Sequence, residues 1–255
     1  NNSAEAKIEE ELEIYADKFT YNKKKDFLTA EGNVLIVDLI KNLKINSNKI
    51  DFDRVNNKIF SHGKTFFNIN DVYKVNSEDV NFLINETILS SKKETKVTDD
   101  LNNIINLNSF IYEDKIKIFK GRDIRMTDTK KNRYFLDQGM IKLDEYTLIG
   151  KDIKVLLDNK SFDNTENEPK LVGNSIIYKD NETIIKKGIF TSCKENDNCP
   201  PWSIISEEIK HDRTKKQIDY KNARLRIYNL PVMYFPKFFH PDPTVDRKSG
   251  FLIPK

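Results

Sequence analysis

Proline is absent before Pro169, and glycine and proline number only eight each in 255 residues. Without proline to interrupt them, long backbone ladders are possible through the first two thirds of the chain. Cysteine is almost absent too. Cys193 and Cys199 sit six apart in CKENDNCPPW, a spacing closer to a small disulfide loop than to a zinc site, which would need two further ligands. Such usage favours an oxidising compartment. The three histidines, His62, His211 and His240, are scattered. His240-Pro241-Asp242-Pro243 invites a metal assignment, yet two prolines around one carboxylate chiefly stiffen a loop. No GxSxG, P-loop or GxGxxG run occurs, so neither catalysis, a metal nor a cofactor is expected. Long hydrophobic runs are missing as well. Val34-Leu35-Ile36-Val37 is cut by Asp38, far short of the eighteen or so apolar residues of a membrane helix. Residues 1–11 are acidic and lack a signal-like apolar core, so any secretory signal is expected to have been removed. Charge of one sign is lacking: 43 Lys and Arg face 40 Asp and Glu, a formal net charge of +3. That excludes the basic footprint of a nucleic-acid binder, and ordinary surface solvation accounts for most of the lysines.

What is abundant is aromatic: 16 Phe and 10 Tyr, within a chain 38% hydrophobic and 33% charged. This suits a β-rich protein with a wet surface, in one large all-β domain or two smaller ones. Self-similarity supports strands. Asp17-Lys18-Phe19-Thr20-Tyr21 returns as Asn48-Lys49-Ile50-Asp51-Phe52 and more loosely as Glu78-Asp79-Val80-Asn81-Phe82, and Gly32 and Gly63 follow the first two copies at the same distance. Each copy reads strand, turn, strand, turn. Within them Phe19 and Tyr21, then Ile50 and Phe52, share one face, while Lys18, Thr20, Lys49 and Asp51 take the other. Polar clusters over 22–26 and 53–57 separate the strands. The pattern blurs from Ser90 to Asn108 and resumes as runs at Phe110 to Phe119, Arg133 to Leu143, Thr147 to Leu157 and Ser175 to Ile185. Asp158 to Glu168 reads as a loop or small-domain boundary, and Ala4 to Leu12 as a short helix or frayed tail. Strand pairs that each expose an apolar face must stack, as a β-solenoid, a sandwich or an open jellyroll.

From Gly188 the character changes. Thr191-Ser192-Cys193, Trp202, Lys210-His211-Asp212, Tyr220-Lys221-Asn222-Ala223, Leu230-Pro231-Val232-Met233-Tyr234-Phe235-Pro236 and Arg247-Lys248-Ser249-Gly250-Phe251-Leu252-Ile253-Pro254 appear in that order. This stretch resembles the LptD family of outer-membrane lipopolysaccharide-assembly proteins. The first half, through Ala16-Asp17-Lys18 and Ala30-Glu31-Gly32-Asn33-Val34, is similar to the broader OstA-like repeats shared with soluble bridge proteins. The resemblance implies an all-β, open twisted β-jellyroll at the periplasmic face of a Gram-negative outer membrane. Residues 1–187 would be the OstA-like repeats, and residues 188–255 the end of the jellyroll and the transition to a membrane β-barrel beginning near Ser249-Gly250-Phe251. The implied partners are lipopolysaccharide, a soluble OstA-like bridge protein docked on an edge strand, and a plug lipoprotein that acts through the barrel. Best-known family members carry a further cysteine near the mature N-terminus, where this chain has none. Cys193 could therefore pair with Cys199 or with a barrel cysteine outside this sequence.

Lipopolysaccharide carries several acyl chains, and at roughly 0.8 kcal/mol per exposed CH₂ their unassisted passage through water is prohibitive. A strand's period of two lets every second side chain line a covered path. Phe19, Tyr21, Ile50, Phe52, Val80 and Phe82 are the candidates for that inner face, although an aromatic on the apolar face of a strand is more often ordinary core. A soluble OstA-like bridge protein, a carbohydrate-acting β-helix and a structural β-solenoid are the alternatives. The last two leave the change after Gly188 unexplained.

Overall fold

The computed structural model describes residues 4–9, 12–38, 43–69, 72–145, 147–158, 168–193, 201–242 and 245. The chain divides into two compact units, residues 1–123 and 124–255. The described residues are strands and turns, with one 3-10 turn at Asp114–Ile116.

In the first unit the strands are β1 (Ala4–Glu9), β2 (Leu12–Ala16), β3 (Lys18–Asn22), β4 (Phe27–Asp38), β5 (Leu43–Asp53), β6 (Lys58–Ser61) and β7 (Lys64–Ile69). They continue as β8 (Tyr73–Glu78), β9 (Asn81–Leu83), β10 (Ile88–Ser91), β11 (Thr95–Thr98), β12 (Ile104–Leu107) and β13 (Ser109–Glu113). β14 (Ile118–Thr127) runs across the division. Long strands are bent or broken near their middles, and the two halves join different ladders. One half-sheet runs β1, β2, the second half of β4, the first half of β5, then β7, β8, β11 and β12. The other runs β3, the first half of β4, the second half of β5, then β6, β9, β10, β13 and β14. Phe67 on the first half-sheet meets Phe110 on the second at 5.8 Å between ring centroids. The halves thus face each other across the core, and the unit is a jellyroll of antiparallel strands.

The bend needs particular backbone. At the β4 corner the register with β5 shifts between Glu31 and Val34, where Gly32 has φ +78° and Asn33 φ 45°. A Cβ on Gly32 would collide with the Asp17 carboxylate, so glycine is required twice over. Asp17 in turn accepts a hydrogen bond from Asn33 Nδ2 at 2.8 Å. Gly63, φ +72°, makes the corner between β6 and β7. The glycines expected to reverse the chain therefore bend it instead. The reversals fall on the polar clusters, where Asp26 and Asn57 adopt φ near +48° (49° and 47°).

The second unit is a meander: β15 (Arg133–Lys142), β16 (Thr147–Leu156), β17 (Lys170–Lys179), β18 (Glu182–Thr191), β19 (Trp202–Asp212), β20 (Gln217–Ile227) and β21 (Leu230–Pro241). Each ladder skips a step near its middle, at Asp137 opposite Asp152, Lys187 opposite Glu207, and Asn222 opposite Pro236. Asp152, Lys187 and Asn222 have φ of 50°, 48° and 53°, the same corner device with short polar or flexible residues in place of glycine.

Three expectations are corrected. Residues 4–9 are strand, since β1 pairs with β2 from Ala4↔Ala16 to Glu9↔Leu12; ladder bonds to a neighbour override a weak local preference. Residues 110–119 hold a turn between β13 and β14, closed by Lys117 at φ 51°, and residues 175–185 hold the β17–β18 reversal at Asp180, φ 50°. In both, apolar residues on either side of a short turn merge into one run in the sequence. The blurred stretch from Ser90 to Asn108 contains β11 and β12. Gly188, where the family motifs begin, lies inside β18.

Candidate functional site

The inward face of the second half-sheet is one continuous apolar row. Ladder pairing sets Leu28 beside Phe52, Phe52 beside Ile59, Ile59 beside Phe82, Phe82 beside Leu89 and Leu89 beside Tyr112. A second row sets Phe19 beside Ala30 and Ala30 beside Ile50, and the Val80 carbonyl accepts a hydrogen bond from Ser61 N at 2.9 Å. Exposure is 0% at Ile50, 1% at Phe52 and Phe82, and 2% at Val80. Those four candidates come together in the interior. Phe19 is half-buried, and Tyr21 is 49% exposed, because both lie on β3, which pairs only with β4 among the described residues. Tyr21 turns its hydroxyl to Asp26 Oδ1 at 2.7 Å.

The opposite face is wet and charged. Glu31 sits between Lys49 (2.9 Å) and Lys18 (3.8 Å), and the Lys49 ammonium holds its carboxyl below the usual range. Thr29 Oγ1 donates to Asp51 at 2.8 Å, and His62 Nε2 meets the same carboxylate at 2.7 Å. Charge alternates across neighbouring strands, so this face repels apolar chains and adds modest cross-strand attraction.

In the second unit, buried polar groups punctuate the core at the strand ends. Arg213, from the β19–β20 turn, donates to Tyr134 OH at 2.9 Å and to Thr183 Oγ1 at 3.0 Å, and its guanidinium lies 4.5 Å from the Tyr178 ring centroid. Tyr134 OH donates to Asp128 Oδ2 at 3.1 Å, and burial drives its pKa upward. A second group joins His211 to Asp242 at 3.0 Å and Tyr220 OH to His240 Nε2 at 2.8 Å, against the ring of Phe190. Burial raises the Tyr220 pKa and lowers that of His240. Neither group was foreseeable from spacing, since Tyr134 and Arg213 are 79 residues apart. No group of three His, Cys, Asp or Glu side chains suited to a metal occurs among the described residues. Cys193 is half-buried with its Sγ 3.8 Å from the Trp202 carbonyl oxygen; Cys199 lies outside the described residues.

No family model matches the chain. It is similar to the LPS-assembly protein LptD of Yersinia pestis bv. Antiqua, 45% identical over 73 residues, which is 28% of this chain and 9% of the relative. The LptD of Pectobacterium atrosepticum matches at 28% identity over 183 residues, 66% of this chain and 23% of that protein. The LptD of Haemophilus influenzae matches at 31% over 121 residues, 44% and 15% of the two chains. A solved structure of LptH, the LptA homologous periplasmic component of the lipopolysaccharide transport device from Pseudomonas aeruginosa, overlaps 40% of this chain and 76% of its own at TM-score 0.36 and 14% identity. The chain spans less than a quarter of the length of these curated relatives. Over a partial region, therefore, the chain is a homologue of the curated LPS-assembly proteins LptD.

Proposed function

We propose that this chain is a periplasmic lipopolysaccharide-transfer module, whose apolar interior covers acyl chains on their way to an outer-membrane barrel. The observation that carries the reading is the row through Phe52, Ile59, Phe82 and Leu89, continuous across β5, β6, β9 and β10 and closed off from a charged outer face. A path for a chain of methylenes needs uninterrupted apolar surface, since each CH₂ left in water costs roughly 0.8 kcal/mol. The similarity to LptD directs the reading toward lipopolysaccharide. On this reading a soluble OstA-like bridge protein delivers the lipid at the N-terminal edge, and a plug lipoprotein acts through the barrel. The barrel follows the C-terminal end of the module, at the outer membrane of a Gram-negative cell. The ladders among the described residues are antiparallel, which argues against the parallel β-helix of a carbohydrate-acting enzyme.

The test uses the two faces of a single strand. A photoreactive residue in place of Phe52 is expected to crosslink lipopolysaccharide in cells in an energy-dependent way, and one in place of Asp51 to fail, because successive side chains point to opposite faces. Equal crosslinking from both positions would overturn the assignment of the path.

A further inference from the structure

The interior of the second unit is closed in this structure: Ile176, Phe190, Ile218 and Ala223 are fully buried at 0% exposure. An acyl chain entering from the side needs the half-sheets to part at the rim opposite the corners. At that rim the strand ends are tied by side chains. Tyr134, near the start of β15, sits in register with Val155, then Leu171, Phe190 and Ile204. Arg213 lies past the far end of the strand that holds Ile204. On a flat sheet the two would be roughly 30 Å apart along the strand direction, yet they meet at 2.9 Å. Their contact exists only because the two halves fold onto each other.

We propose that Arg213, Tyr134 and Asp128 form a clasp that holds the two half-sheets of this unit shut at their rim and sets how readily an acyl chain enters. The clasp rests on the acyl-path reading above. One hydrogen bond crosses between the halves, from Arg213 Nη2 to Tyr134 OH, and Tyr134 OH is held on its own side by donating to Asp128 Oδ2 at 3.1 Å. On its own half Arg213 also reaches Thr183 Oγ1 at 3.0 Å and the Asp180 carbonyl at 3.4 Å. Asp128 is fixed by Asn132 N and Asn132 Nδ2, both at 2.9 Å. The set is incomplete in two ways. Among the described residues the guanidinium, on a residue only 9% exposed, reaches a carboxylate only through the Tyr134 hydroxyl, and its buried Nε has no hydrogen-bond partner. A buried cation without a direct counter-charge and an orphaned donor both weigh against closure. Opening returns both to water. Both features lower the cost of opening.

Trp202, the only tryptophan, lies 5.9 Å from Phe190 by ring centroids and reports on this interior. The experiment adds a brominated long-chain fatty acid to the full chain and follows quenching of Trp202 emission. The variants are Tyr134→Phe, and Tyr134→Cys with Arg213→Cys in a background with Cys193→Ser and Cys199→Ser, before and after linking by a short bis-maleimide. Circular dichroism and the thermal midpoint establish that each is folded. Tyr134→Phe and the unlinked double variant should be quenched about tenfold faster than the parent, the effect of losing one hydrogen bond to a charged donor, and the linked protein should resist quenching. Equal rates before and after linking would overturn the clasp alone. Should the double variant not fold, an unchanged rate in Tyr134→Phe overturns it. No quenching in any folded form would sink the acyl path through this unit, and the clasp with it.

Discussion

His240 shows how much of this protein's chemistry is decided at the scale of one residue. Its Nδ1 lies 2.6 Å from the Pro241 carbonyl, which can only accept, so the proton is on Nδ1 and Nε2 accepts from Tyr220 OH. The neutral ring is the one that fits. Burial lowers its pKa from the ordinary 6.5, and the nearby His211 pushes the same way against Asp242 and Asp219. The unfolded chain therefore binds the proton more readily than the folded one. This contribution to stability is complete above the ordinary pKa and is lost as pH falls through it toward the lowered native value. Urea midpoints are expected to drop as pH falls below the ordinary 6.5, and His240→Phe, which keeps a ring beside Phe190, should flatten that part of the profile. An identical pH slope in the variant would show that another group is responsible. Histidine at 240 is visible in the sequence; its neutrality comes from partners that only the fold supplies.

At the scale of elements, the edges differ in kind. β1 and β3 each pair on one side among the described residues and contain no proline, so both offer backbone donors and acceptors for strand addition. β21 has Pro231, Pro236 and Pro241, three positions without an N–H, which blunts that end. Photo-crosslinkers placed between Ala16 and Phe60 are expected to trap a soluble OstA-like partner in cells, and ones along β21 are not. Silence throughout the N-terminal region would remove the docking model. Period-two alternation made the strands around Phe19, Ile50 and Phe82 legible, and the runs at 133–143 and 147–157 fall on β15 and β16 almost to the residue. Corners were not legible as corners. Gly32 and Gly63 signal a departure from regular strand, but whether the chain reverses or merely bends depends on which ladders its two halves join.

At the scale of the whole molecule, the first unit covers an apolar face and turns a charged one outward, which on the proposed reading suits passage of lipid through an aqueous compartment. If that compartment is the oxidising periplasm, Cys193 and Cys199 should be found oxidised. Non-reducing peptide mapping of protein taken from the periplasm separates a local bridge from one made by Cys193 to a barrel cysteine, and two free thiols would exclude both. Composition, the repeat of about thirty residues and the ordered motifs after Gly188 determined the all-β class, the inward placement of Ile50, Phe52, Val80 and Phe82, and the family resemblance. These are local properties, set by side-chain periodicity and by short motifs. Only the tertiary structure decided that residues 4–9 form a strand, that Tyr21 is left half-exposed on the outermost strand of its half-sheet, and that Arg213 reaches Tyr134. Each of these depends on what lies across a ladder or across the core. Such contacts join residues far apart in the chain, and no local pattern encodes them.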